Sequence, residues 1–148
     1  MYKILLINGP NLDLLGKRET DVYGTITLSE IEKTLTSECN KSGDKITCFQ
    51  SNAEHEILDW IHKSKKEKYE IIIFNPAAFT HTSVAIRDAL LAVEIPFIEV
   101  HISNIYKREE FRKKSFFSDI AIGTITGFGL TSYEVALISA RSYLNKDK

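Results

Sequence analysis

Glu99 and His101, separated by one residue, are the first chemistry this chain offers. In an extended strand alternate side chains share a face, so the carboxylate and the imidazole lie side by side. A carboxylate in that place fixes the imidazole tautomer and raises its basicity, as a general acid or base requires. The same pair could equally be buried and merely mutually satisfied. A second set of polar groups, Asn11, Arg18 and Tyr23, lies in the stretch 8–24, which Gly9, Pro10, Gly16 and Gly24 keep out of long regular structure. Irregular connections of that length are usually functional or disordered. The leucines and valine within it argue against disorder, so it reads as an active-site loop with a mobile outer part. A solvated surface loop is the plainer reading.

The elements that would carry these residues follow from the hydrophobic pattern. Tyr2 to Asn8 is an apolar strand. Thr27-Leu28-Ser29-Glu30 matches a capping box and opens a helix with Leu28, Ile31, Leu35 and Cys39 on one face, ended by Gly43. Lys45 to Gln50 alternates as a second strand. Ser51-Asn52-Ala53-Glu54 reads as a second capping box, before a helix striped by Ile57, Leu58 and Ile61. Ile71 to Phe74 is apolar at every position, as in a strand covered on both faces. A third helix starts at His81-Thr82-Ser83 and runs to about Val93. Further strands are expected at Phe97 to Ser103 and Ile120 to Ile125. Thr131-Ser132-Tyr133-Glu134 reads as a third capping box for a last helix to about Leu144, with 145–148 a frayed tail. Strands alternating with helices imply a parallel sheet with right-handed crossovers. At 148 residues the expected form is a single α/β domain, a flavodoxin-like three-layer sandwich whose five-stranded parallel sheet has the order 2-1-3-4-5.

That topology gives the scattered polar residues a common address, because ligands of open parallel sheets sit beyond the carboxyl ends of the strands. After the first strand come Asn11, Arg18 and Tyr23; after the second, Ser51, Asn52 and Glu54; after the third, Asn75 and His81; at the end of the fourth, Glu99, His101 and Ser103. His81 could instead serve only as a helix cap. Other chemistries find little support. A net charge of −1 advertises neither nucleic acid nor a membrane surface as partner. The cysteines Cys39 and Cys48 have no metal or redox spacing and read as buried thiols of a reducing compartment. The histidines have no ligand spacing, so no metal is expected. Gly127-Phe128-Gly129 lacks the third glycine of a dinucleotide fingerprint. Without a signal peptide or an apolar run near ~20 residues, the expected location is cytoplasmic.

Read together, Asn8-Gly9-Pro10-Asn11-Leu12, Arg18, Tyr23-Gly24, Gln50-Ser51-Asn52-Ala53-Glu54, Asn75 through Ser83, Ile98 through Asn104 and Arg108-Glu109-Glu110-Phe111-Arg112 resemble type II 3-dehydroquinate dehydratase across the whole chain. Two features depart from that family: alanines at Ala77 and Ala78, where a glycine is common, and His55 in place of a glycine. The resemblance implies dehydration of 3-dehydroquinate to 3-dehydroshikimate in the shikimate pathway, or the reverse in quinate breakdown, with no metal or organic cofactor. It implies Tyr23 as the phenolate base, helped by the Arg18 cation, Asn11 stabilising an enolate through an ordered water, and His101, oriented by Glu99, as the acid. It places the substrate carboxylate on Asn75, Ser103 and the Ile102 amide, and the ring hydroxyls on His81 and Arg112. It also implies a homo-oligomer, trimers assembled into a dodecamer, with Asp88 reaching a neighbouring subunit's site. The competing expectations are a flavodoxin-like module that holds a nucleotide or flavin without catalysis, and a structural oligomer with a relic site.

Overall fold

In the computed structural model, which describes residues 1–146, five parallel strands form one sheet in the order β2-β1-β3-β4-β5. They are β1 (Lys3–Asn8), β2 (Lys45–Gln50), β3 (Ile71–Asn75), β4 (Phe97–His101) and β5 (Gly123–Thr126). The helices are a single turn α1 (Thr20–Tyr23), then α2 (Leu28–Lys41), α3 (Glu54–Lys66), α4 (Val84–Val93) and α5 (Thr131–Asn145). The expected flavodoxin-like order is therefore observed. Its cause is visible in the burial: every residue of β3 is buried, as a strand needs when both faces are covered. On one face Ile4, Leu6, Ile71 and Ile73 pack under α2 and α5. On the other, Leu5, Ile7, Ile72 and Phe74 pack under α3 and α4. Among the described residues no helix is long and apolar enough to cross a membrane.

Of the three expected capping boxes one forms. The Thr27 hydroxyl accepts from the Glu30 amide at 3.3 Å while Glu30 accepts from the Thr27 amide at 3.2 Å. At the second, the Ser51 hydroxyl accepts from the Ala53 amide and donates to Glu56, so the cap position passes to Ala53 and the helix starts without a side-chain cap. At the third, Thr131 lies inside α5, and Ser132 turns back to accept from the Phe128 amide. Local side-chain bonds compete with caps for the same hydroxyl, and the sequence pattern does not decide between them. The start of α4 belongs to Ser83, which accepts from the Ile86 amide; His81 closes the preceding 3₁₀ turn and does not cap. The fifth strand begins at Gly123 and not at Ile120, because Ile120 and Ala121 turn back onto the Phe117 carbonyl. β4 ends at His101, short of Ser103. The last helix includes Asn145, and positions 147–148 of the expected frayed tail lie outside the described residues.

Two close approaches shape the rim of the sheet. Gly9 follows β1 so tightly that a Cβ there would stand 2.3 Å from the Pro76 carbonyl oxygen, so only glycine fits. Just across, Ala77 sits at φ 51°, in the left-handed region, where an alanine is strained. The departure from glycine noted in the sequence thus falls on the backbone position that favours one. Ala77→Gly relieves a strain of ~1–2 kcal/mol at the cost of ~0.4–1 kcal/mol of unfolded-chain entropy. Urea unfolding should show the variant more stable by roughly 0.5–1 kcal/mol; a less stable variant would mean that the methyl contact outweighs the strain.

Candidate active site

The carboxyl ends of β1, β3 and β4 open onto a cleft lined by Asn11, Arg18, Tyr23, Asn75, His81, His101, Ile102, Ser103, Arg108 and Arg112, with Pro10, Leu12, Leu15, Ala77, Ala78 and Ile105 as its apolar wall. The loop after β1 reaches over the cleft because Leu12 and Leu15 are buried beneath it and tether it to the core. Asn11, at φ 68°, donates its backbone N–H to Asn52 Oδ1 at 2.9 Å, tying the loop to the end of β2. The single turn α1 then sets Tyr23 at the cleft wall.

At the end of β4, His101 Nε2 meets Glu99 Oε2 at 2.5 Å, as their strand spacing anticipates. A carboxylate can only accept, so Nε2 carries the hydrogen and Nδ1 is the nitrogen left for a ligand. Glu99 is 1% exposed, and its other oxygen accepts from the Ser115 and Ser118 hydroxyls at 2.9 Å each. Burial pushes the Glu99 carboxyl up, but the bonds from His101, Ser115 and Ser118 outweigh it and hold the group below the ordinary glutamate value. His81 has the complementary arrangement. Its Nδ1 donates to the Lys114 carbonyl at 2.6 Å, leaving Nε2 as an acceptor at the cleft. Burial lowers the His81 pKa, the Lys114 carbonyl opposes it, and the nearby His101 and Arg112 add to the lowering, so the neutral ring is favoured.

The phenol is where the structure adds most to the sequence. Arg108 donates from Nη1 to the Tyr23 hydroxyl at 2.7 Å. Arg18, the cation expected there, lies with its guanidinium carbon 5.7 Å from the Tyr23 ring centroid and pairs with Glu19 at 3.0 Å. Arg108 was visible as a basic residue shortly before Arg112, but 85 positions from Tyr23 nothing in the pattern joined them. Ser115 and Ser118 gave no sequence signal at all. Arg112 lines the cleft and pairs with Glu109 at 3.0 Å. Asp88 does not join the cleft: it is exposed on α4. Burial pushes the Cys39 thiol up to about 11 and the Cys48 thiol up to about 12, so neither is a ready nucleophile.

Residues 2–141 match the family model described as "Dehydroquinase class II". The chain is 59% identical over 140 residues to a protein of Cellvibrio japonicus named 3-dehydroquinate dehydratase, covering 95% of each. It is 53% identical over 148 residues to a protein of the same name from Teredinibacter turnerae, covering 100% of this chain and 96% of that one. The crystal structure of the type II dehydroquinase from Butyrivibrio crossotus superposes with a TM-score of 0.93 at 42% identity, over 95% of this chain and 97% of that one.

The depressed Glu99 pKa has a consequence for acid stability. The unfolded value is near 4.5 and the folded value lies below it, so the ionised carboxylate stabilises the fold fully above 4.5, and this is lost as pH falls through the folded value. Glu99→Gln removes that titration. Urea midpoints followed downward from about pH 6 should fall less steeply in the variant than in the parent; parallel curves would remove Glu99 from the acid transition.

Proposed function

The chain belongs to the class II dehydroquinases, and on that premise we infer that it removes water from 3-dehydroquinate by anti elimination through an enolate, giving 3-dehydroshikimate in the shikimate pathway. The observation that carries the reading is the convergence of two prepared groups in one cleft: Tyr23 with Arg108 on its oxygen, and His101 backed by Glu99. A module that only holds a flavin or nucleotide is not favoured by the relatives it matches.

The proton on the carbon beside the ketone passes to the Tyr23 phenolate, and the C–H electron pair becomes the enolate. Arg108 donates to the phenolate oxygen before that step, and Arg18 supplies a second positive charge close to the ring. Asn11, through an ordered water, stabilises the enolate oxygen. The enolate then collapses, the C–O bond breaks, and the departing hydroxyl takes a proton from His101 Nδ1 and leaves as water. Glu99, ionised, holds Nε2–H and balances the imidazolium beforehand. The substrate carboxylate meets Asn75, Ser103 and the Ile102 amide. The ring hydroxyls meet Arg112, which donates, and His81 Nε2, which accepts. No lysine lines the cleft among the described residues, so an imine route has no nucleophile there.

The assembly belongs to the same proposal: a homo-oligomer of trimers built into a dodecamer. Val84, Asp88 and Leu91 fall at helical spacing on the outer face of α4, where Val84 is 53% and Leu91 50% exposed. An aliphatic stripe around a carboxylate suits a subunit contact that carries Asp88 to a neighbouring cleft.

The direct test is the appearance of the conjugated enone absorbance when purified protein meets 3-dehydroquinate; an unchanged substrate would overturn the reading. His101→Ala should lower kcat by roughly 10²–10⁴-fold while ligand binding persists. Arg108→Gln should move the acid limb of kcat/KM to higher pH, with activity partly recovered in alkali; a uniform loss at every pH would restrict Arg108 to holding the loop. Leu91→Glu should split the assembly in sedimentation and depress activity with it. A fully active monomer would sink the role given to Asp88.

A further inference from the structure

Tyr133 is a buried titratable group that this chemistry does not use. It is 0% exposed, it lies in α5, and it is not part of the cleft wall. Its hydroxyl donates to Asn8 Oδ1 at 2.6 Å and accepts from Asn75 Nδ2 at 2.8 Å. Asn8 and Asn75 are register partners at the last positions of β1 and β3. Both follow the alternation of Ile4 and Leu6, and of Ile71 and Ile73, which places them on the α5 side of the sheet. Tyr133 therefore plugs the sheet just behind the cleft floor. Burial raises its pKa well beyond the ordinary tyrosine value, so the hydroxyl stays a neutral donor at any working pH.

Asn75 is held at both ends of its amide. Oδ1 accepts from the Ala77 backbone N–H at 3.1 Å, and one Nδ2 hydrogen goes to Tyr133. Asn75 lines the cleft, so its second N–H is the part of the amide left for a ligand. We propose that Tyr133 is a positioning residue that fixes the Asn75 amide with its free N–H toward the substrate carboxylate, making the cleft selective for an anionic ring. Without the hydroxyl, the N–H now given to Tyr133 has no buried partner, and the Ala77 bond alone is left to hold the amide against rotation. A rotated amide turns its oxygen toward the cleft, where it repels a carboxylate. The inference rests on the reading of Asn75 as a carboxylate contact.

Tyr133→Phe keeps the ring and removes the hydroxyl. KM for 3-dehydroquinate should rise about tenfold with kcat within about twofold of the parent, the signature of lost uniform binding. Calorimetry then separates the inference from the reading beneath it, using quinate and its neutral carboxamide as probes. Asn75→Ala and Tyr133→Phe should each weaken quinate about tenfold, whereas Tyr133→Phe should leave the carboxamide nearly unchanged, since a carboxamide can turn its own N–H to a rotated Asn75 oxygen, and the double variant should lose no more quinate affinity than Asn75→Ala alone. Should Tyr133→Phe fail to fold because Asn8 Oδ1 is left bare, Tyr133→Phe with Asn8→Leu removes both partners and gives the same readout. Normal quinate binding by Asn75→Ala would overturn the carboxylate contact and this inference with it. Normal quinate binding by the Tyr133 variant beside a defective Asn75→Ala, losses that multiply in the double variant, or equal losses for the carboxamide would overturn the role of Tyr133 alone.

Discussion

A carboxylate buried within a covered strand cannot be left unsatisfied, and Glu99 in the middle of β4 is such a group. Its satisfaction organises the chain around it. One oxygen is given to His101, and the other to Ser115 and Ser118, which brings the segment after Arg112 down onto the sheet. Once there, that segment buries Phe117 against Phe74, donates the Phe116 amide to the Thr80 carbonyl and offers the Lys114 carbonyl to His81. Arg87 on α4 clamps it from outside, reaching the Phe116 carbonyl at 2.7 Å and Asp119 at 2.5 and 2.9 Å. One buried charge thus decides which ring nitrogen of each cleft histidine is engaged, directly for His101 and, through the segment that carries Lys114, for His81.

The opposite wall is built on the cations. Tyr23 reaches the cleft only because Leu12 and Leu15 anchor the loop that carries it, and because Arg108 receives it from the far side. Arg108 is also 3.8 Å from Glu19, so the same guanidinium joins the loop to the segment after β4. Arg18 is engaged by Glu19 and lies near the ring face and not at the phenol oxygen. The two arginines therefore take different places: a hydrogen-bonded charge on the Tyr23 oxygen and a second charge near its ring. A desolvated site strengthens both.

Behind the walls, the floor depends on the paired carboxyl ends of β1 and β3. There Gly9 permits the close approach to Pro76, Ala77 accepts a left-handed turn, and Tyr133 spans the two strand ends. The Ala77 turn directs its N–H at Asn75 Oδ1, so backbone strain and side-chain orientation meet at one residue.

Whatever depends on period and local bonding was readable from the residues alone. The apolar runs specified the strands, their alternation with helices specified a parallel sheet, and the strand-end rule gathered Asn11, Tyr23, Asn75, His81, His101 and Ser103 at one rim. The pairing of Glu99 with His101 was legible because it needs only the two-residue repeat of a strand. Packing selects which of several possible partners each polar group takes. Ser51 and Ser132 could have capped helices but bonded elsewhere, and Arg108 rather than Arg18 reached the Tyr23 oxygen. Ser115 and Ser118 found Glu99 across 16 and 19 positions, and Tyr133 found Asn8 across 125. The physical reason is that a side-chain hydrogen bond has a reach of about 3 Å and no sequence period. Only a packed chain brings its two ends within that distance.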